Sequence, residues 1–343
     1  MHKWLIFFNF FILFTIQLIS AQTLGGSSIL NFLKLPQHPI TAALGGRNVS
    51  TFSGEAGLIT ENPALIRSTN NGNVSTNFTF LSPGLSALTA TGIYDYKKIN
   101  TNVGLTIGHI QYGNTDQTDA SGNLLGAFNP YDQYVQITAS RSYGSKWNYG
   151  TSIKFIHSSY GAFRSSALVA DVGLAYFDKE KKIQFGFSAK NMGTQLKTYA
   201  GVGEDLPFDM VIGLSKQLEK SPLRFSVTAQ RIHQFDLLYN DTTFSSANFG
   251  QNKESRFLRK FFSHFVVGTE ILIGEKLVLM GGYNFLRSME LRLPSLSNGL
   301  TGIGYGLNLK LLKLDFYFSR AHYQTSIAYN QIGITYRLSK NIN

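Results

Sequence analysis

Cysteine is absent from the 343-residue chain. That excludes disulfides, thiolate metal sites, thiol nucleophiles and a lipidated N-terminal cysteine. Charge is scarce too, at 15%, against roughly 25% in soluble domains. Beyond the N-terminus no run of 18 apolar residues occurs, so no helix is expected to span a membrane. The seven histidines are scattered, with no His-x-x-x-His or His-Glu-x-x-His pairing and no Gly-x-Ser-x-Gly elbow. No catalytic group, metal site or cofactor is therefore expected.

What the chain does have is glycine (33), phenylalanine (27) and tyrosine (17), with a mean hydropathy of −0.04. A hydropathy near zero with many aromatics suits a transmembrane β-barrel, whose residues alternate between lipid and lumen. Lys+Arg number 31 and Asp+Glu 20, a net charge of 31 − 20 = +11. The basic residues are spread along the chain rather than gathered in a nucleic-acid-binding patch.

Residues 1–21 read as an export signal: Lys3, an apolar stretch from Trp4 to Ile19, and a small-residue exit at Ser20-Ala21. The rest divides into a segment over 22–73, a barrel over 74–338 and a tail over 339–343.

Strand periodicity dominates from residue 74 onward. Ile183-Gln184-Phe185-Gly186-Phe187-Ser188-Ala189-Lys190 and Leu314-Asp315-Phe316-Tyr317-Phe318-Ser319 alternate apolar and small or polar residues. The same rule gives fourteen strands near 74–81, 86–95, 101–112, 132–143, 148–160, 165–177, 182–191, 207–218, 222–233, 262–272, 276–286, 299–310, 313–321 and 326–338. Every even-to-odd connection is short: 96–100, 144–147, 178–181, 219–221, 273–275 and 311–312. The odd-to-even set includes the long segments 113–131, 192–206, 234–261 and 287–298, with three short connections near Ser82, Gly161 and His322. Turns on one rim and long loops on the other mark an outer-membrane barrel, with the turns periplasmic. The expected fold is all-β: a 14-stranded antiparallel transmembrane barrel.

The final strand carries an assembly pattern. Gln331, Gly333, Tyr336 and Leu338 match the order polar, Gly, aromatic, hydrophobic of the outer-membrane β-signal. Ile332, Ile334, Tyr336 and Leu338 share the face suited to lipid.

Residues 24–66 lack sustained alternation and contain Ala42-Ala43-Leu44-Gly45-Gly46 and Asn62-Pro63-Ala64. Pro63 restricts Asn62 to an extended backbone, and Gly45-Gly46 permits a tight turn. Both pieces resemble the start of the FadL-like outer-membrane barrels, in which the N-terminal segment folds into the lumen as a plug. The longer string, with Phe32-Leu33-Lys34-Leu35-Pro36 before it and Glu61 leading the Asn-Pro-Ala element, is similar to the PorQ family of the type IX secretion system. That resemblance implies a non-enzymatic member of the attachment complex, holding a PorZ-like surface partner alongside PorU- and PorV-like proteins. The complex processes secreted cargo and joins it to lipopolysaccharide. The alternative is a FadL-like transporter of a hydrophobic small molecule.

Three minor features complete the reading. Gly302-x-Gly304-x-Gly306 falls on one face of a strand, where glycine lets another segment approach. Glu204, Asp205 and Asp209 form an acidic loop, read as solvated rather than as a cation site. Lys253, Arg256, Arg259 and Lys260, opposed only by Glu254, interleave with Phe257, Leu258, Phe261 and Phe262 in the longest loop. Arg256, Arg259, Lys260, Phe257 and Phe261 are the candidate docking residues for a surface partner or for lipopolysaccharide.

Overall fold

The computed structural model describes residues 28–51, 53–82, 84–237, 253–290, 299–323 and 328–338. The export signal 1–21, the start of the following segment and the tail 339–343 lie outside the described residues, as does 238–252 of the longest loop. The strands are β1 (Asn73–Ser82), β2 (Leu85–Tyr96), β3 (Thr101–Gln111), β4 (Thr115–Thr118), β5 (Leu124–Phe128), β6 (Tyr131–Tyr143), β7 (Trp147–Tyr160) and β8 (Phe163–Asp178). They continue with β9 (Ile183–Lys197), β10 (Asp209–Gln217), β11 (Leu223–Ala229), β12 (Phe265–Ile273), β13 (Leu277–Asn284), β14 (Ile303–Leu311), β15 (Leu314–His322) and β16 (Ala328–Arg337). All except β4 and β5 pair antiparallel with their neighbours around the sheet, and β1 pairs with β16 to close a fourteen-stranded barrel.

Closure leaves no unpaired strand edge. It also sorts the side chains. On β1, Val74, Phe78 and Phe80 are exposed while Ser75, Asn77 and Thr79 are buried. On β16, Ile332, Ile334 and Tyr336 face out and Gln331, Gly333 and Thr335 face in. Leu338 lies just past the strand, its N–H donating to the Gly72 carbonyl. Ile107, Ile137 and Ile153 are each more than half exposed, at 53%, 59% and 57%. An apolar belt of that kind requires lipid, because water would not tolerate it. The outside is apolar, while the inward positions are polar except where apolar ones such as Ile110, Ile156, Val278 and Met280 meet the plug.

Four differences from the sequence reading have local causes. The long 113–131 connection contains the β4–β5 hairpin, whose Thr115-Asp116-Gln117-Thr118 strand has no apolar face to reveal it. β9 runs to Lys197 instead of residue 191, crossing irregularities opposite β8. The strand expected to begin at 262 begins at Phe265, because Lys253–Ser263 forms a helix. The strand expected to reach 286 stops at Asn284, where a helix over Phe285–Glu290 takes over.

Residues 28–51 and 53–72 make up the segment inside the barrel. They form a short helix, α1 (Pro39–Ala43), and single turns over Asn31–Lys34, Ala56–Thr60, Pro63–Leu65 and Ser68–Asn70. Ile40, Ala43, Leu44, Leu58, Ala64 and Leu65 pack against Ala175, Val278, Met280 and Tyr317 of the wall. Leu30, Phe32 and Leu33 pack against Ile110, Tyr134 and Ile156.

Candidate functional site

The plug seats against the wall through its backbone. His38 caps α1, its Nδ1 accepting the Ile40 N–H at 3.1 Å, and Pro39 occupies the first helical position, where no donor is missed. Ala42 and Ala43 end the helix. Gly45 and Gly46 then turn the chain with φ of +93° each, a conformation that favours glycine. The Gly46 N–H returns to the Thr41 carbonyl at 2.8 Å, and Asn284 of β13 donates to the Gly45 carbonyl at 3.0 Å.

Glycines on the wall make room for this run. A Cβ added at Gly282 would strike the Leu44 carbonyl carbon, and one at Gly304 the Ala42 oxygen; Gly306 faces the Ala43 methyl. Of the Gly302-x-Gly304-x-Gly306 run, Gly302 lies in the turn before β14 and the other two face the plug.

The Asn62-Pro63-Ala64 element makes a second seat. Asn62 is extended (φ −149°, ψ 114°), and Pro63 opens a turn over Pro63–Leu65. The Asn62 Oδ1 accepts the Ala64 N–H at 2.9 Å, while Nδ2 donates to Val49 O at 3.1 Å and Leu174 O at 3.3 Å. One side chain thus ties together three backbones, two within the plug and one in β8. Gly150 and Gly173 face it from the wall; a Cβ on Gly150 would come within 2.6 Å of the Pro63 carbonyl.

Charges join plug to wall as well. Glu61 Oε2 meets Lys190 Nζ of β9 at 3.1 Å and Arg47 Nη1 at 3.7 Å; Arg47 Nε reaches Asp209 Oδ2 of β10 at 3.6 Å. Nearby, Lys154 Nζ of β7 lies 3.6 Å from Asp171 Oδ2 of β8. All six side chains are less than one-tenth exposed. Burying an ion costs several kcal/mol unless it is paired. Three cations against three carboxylates meet that condition.

A third group ties residue 55 to the closing seam. Tyr317 OH of β15 donates to Glu55 at 2.7 Å, Thr335 Oγ1 of β16 donates to its other oxygen, and the His38 ring sits edge-on to Tyr317 at 5.0 Å. Burial lowers the His38 pKa to about 3, so the ring is neutral. Burial also raises the Glu55 carboxyl above its ordinary range, an effect the two hydroxyl donors oppose.

At the rim carrying the long connections, a cavity of about 150 Å3 opens beside Lys34, Arg47, Asp209, Arg231, Arg287 and Tyr323. Its lining mixes apolar surface, including Leu35 and Leu286, with polar groups, among which four cationic side chains face one carboxylate, Asp209. The Arg287 guanidinium lies 3.5 Å from the Tyr323 ring centroid. No group of three metal-ligating side chains occurs among the described residues.

The candidate docking residues stand elsewhere, on the outer wall of this rim. Phe257, Arg259, Lys260 and Phe261 lie on α2 (Lys253–Ser263); Arg256 is on the same helix, with its side chain outside the described residues. Lys260 is bonded to Asp236, so Glu254 is not the sole opposing charge. Sequence reasoning passed over Arg47, Glu61, Lys154, Asp171 and Lys190 as a network and read Asp209 as part of a solvated acidic loop, whereas it opens β10, is buried and pairs with Arg47. The available signal was a lysine at an inward position of an otherwise regular strand, as at Lys154 and Lys190.

No family model and no curated protein matches this sequence. Solved structures do. The toluene transporter TodX of Pseudomonas putida superposes with a TM-score of 0.52 at 12% identity, over 88% of this chain and 97% of that one. A deltaS2 mutant of the TodX monoaromatic hydrocarbon channel gives 0.53 at 13%, over 88% and 98%. A FadL homologue of Pseudomonas aeruginosa gives 0.51 at 8%, again over 88% and 98%. The chain shares the fold of these FadL-like barrels.

Proposed function

We propose that the protein is a non-enzymatic outer-membrane barrel that supports a surface partner, in the manner of the PorQ family in the type IX attachment complex. The observation carrying this reading is the PorQ-like string from Phe32 to Gly46, which lies in a plug fixed by backbone-on-glycine contact and by the Glu61–Lys190 pair. A wall built to hold its plug serves as a platform better than as a passage. The partner expected is PorZ-like, working with PorU- and PorV-like proteins beside lipopolysaccharide. The β-signal pattern of Gln331, Gly333, Tyr336 and Leu338 serves assembly of the barrel in this reading.

A second reading is transport of a small hydrophobic molecule. The likeness to a toluene transporter and a FadL homologue supports it, and that likeness does not bear on the attachment reading. The rim cavity itself is small, about 150 Å3, and places four cationic side chains beside its apolar surface, where an apolar guest would meet charge it cannot match.

Deleting the gene separates the two. Loss of secreted proteins from the cell surface, with unprocessed cargo accumulating, supports the platform. Intact surface proteins with a growth defect confined to one hydrophobic carbon source overturn it in favour of transport.

A further inference from the structure

The α2 helix carries its apolar residues on one side. At roughly 3.6 residues per turn, Phe257, Leu258, Phe261 and Phe262 fall within one arc, which also holds Glu254 at the start of the helix, and positions 253, 256, 259, 260 and 263 fall within the opposite one. Phe257, Leu258, Phe261 and Phe262 are exposed by 56%, 52%, 43% and 43%. Four large apolar side chains in water on one short helix would be costly.

Their neighbours show what covers them. Phe261 packs on Phe265 at 5.0 Å, and Phe265 shares the outward face of β12 with the exposed Val267. Phe262 packs on Phe285 at 5.8 Å, and Phe285 meets Tyr283 edge-on at 4.9 Å. Tyr283 shares the outward face of β13 with Leu279, since the intervening Met280 and Gly282 point at the plug side. Phe257 in turn contacts Phe235 at 5.9 Å. The rings therefore form one sheet of aromatic surface running from the apolar belt of the barrel up onto the helix.

We infer that α2 lies along the membrane interface on the long-loop side, its Phe257–Phe262 face set into the surrounding leaflet and its basic face turned to the lipid headgroups. Continuity with the belt of β12 and β13 identifies the occupant as lipid. An amphipathic helix with aromatics on one side and basic residues on the other sits roughly 5–10 Å into the boundary between headgroups and acyl chains. This changes the reading of the aromatic members of the docking set: Phe257 and Phe261 are membrane contacts. The inference rests on the barrel and its belt, and stands or falls apart from the attachment reading.

Fluorescence quenching tests it. Both native tryptophans are replaced (Trp4→Phe, Trp147→Phe) and Phe257→Trp is introduced into the full chain, with Phe262→Trp in parallel. Each protein is reconstituted into vesicles of phosphatidylcholine and phosphatidylglycerol, with or without brominated acyl chains. Leu124→Trp, on the exposed β5 strand, gives the aqueous reference. The expected result is quenching of the indole emission from positions 257 and 262 by brominated lipid, about twofold or more, with iodide acting only on the β5 reference. Iodide quenching at both helix positions with no effect of brominated lipid overturns the inference. The face would then be in water and open to a protein partner.

Discussion

The ammonium of Lys190 donates to the carboxylate of Glu61 at 3.1 Å, joining the wall to the plug across 129 positions of sequence. Neither group reaches solvent to any useful extent: their side chains are 4% and 1% exposed. Each therefore depends on the other for its charge to be tolerated in the lumen.

Lys190→Met leaves Glu61 with Arg47 alone, at 3.7 Å. Loss of one partner from a buried pair should lower the stability of the folded barrel by about 3 kcal/mol. Combining it with Glu61→Leu should restore much of that loss, since two apolar groups replace two ions. Urea unfolding in detergent reads both variants. An unchanged midpoint for the single variant would show that the pair contributes nothing.

Two adjacent glycines of β13 should respond differently to the same change. Gly282 faces Leu44, whereas the space at Gly281 is empty within 4 Å. Gly282→Ala should unseat the plug at a cost of about 2 kcal/mol and open the buried Arg47 to trypsin; Gly281→Ala should do neither. Equal cleavage rates in the two variants would show that the plug does not depend on the close approach.

Acid should loosen the plug through His38. Its pKa in the folded chain, about 3, lies below the usual 6.5, so the unfolded chain binds a proton that the folded one refuses. The stability contribution is complete above pH 6.5 and is lost progressively as pH falls towards 3. Glu55, raised by burial, titrates with the opposite sign. Comparing wild type with His38→Asn, which keeps an acceptor for the Ile40 N–H, isolates the histidine. The wild-type midpoint should fall more steeply between about pH 7 and 4 than that of the variant; parallel profiles would discard this role.

The intact protein should pass little current. In planar bilayers the full-length chain is expected to show no stable, large conductance, while a chain lacking 24–66 should conduct or fail to assemble. A large, steady single-channel current from the intact protein would mean that the plug does not seal the lumen.

The barrel was legible because lipid on one side and a polar lumen on the other impose a period of two on every strand, and because short turns and long loops segregate by rim. The runs Ile183–Lys190 and Leu314–Ser319 display the first in plain form. Elements lacking that contrast were hidden. Thr115–Thr118 carries no apolar residue at all. In α2, the neighbouring pairs Phe257-Leu258 and Phe261-Phe262 break a period of two, and their spacing of four is a helical signal.

The plug was legible only as a segment that fails to alternate. What seats it was not, because Glu61 with Lys190, Arg47 with Asp209 and Glu55 with Tyr317 are brought together by closure of the sheet. The wall glycines could be counted in the sequence, but the groups they face lie far along the chain, as Gly150 does from Pro63 and Gly304 from Ala42.

The seam between β1 and β16 gives this arrangement a direction in time. Residues 28–72 precede β1 in the chain, while the partner that completes the circle is made last. Phe32 and the α1 helix are buried inside the closed wall, and Glu55 takes a hydrogen bond from Thr335 on β16, the strand that closes it. A wall that closes with this segment already in place is wrapped around its contents, as a hoop is bent around a mandrel. Its circumference is thus gauged by the segment it encloses, and a chain deprived of that segment would have to find its strand register unaided.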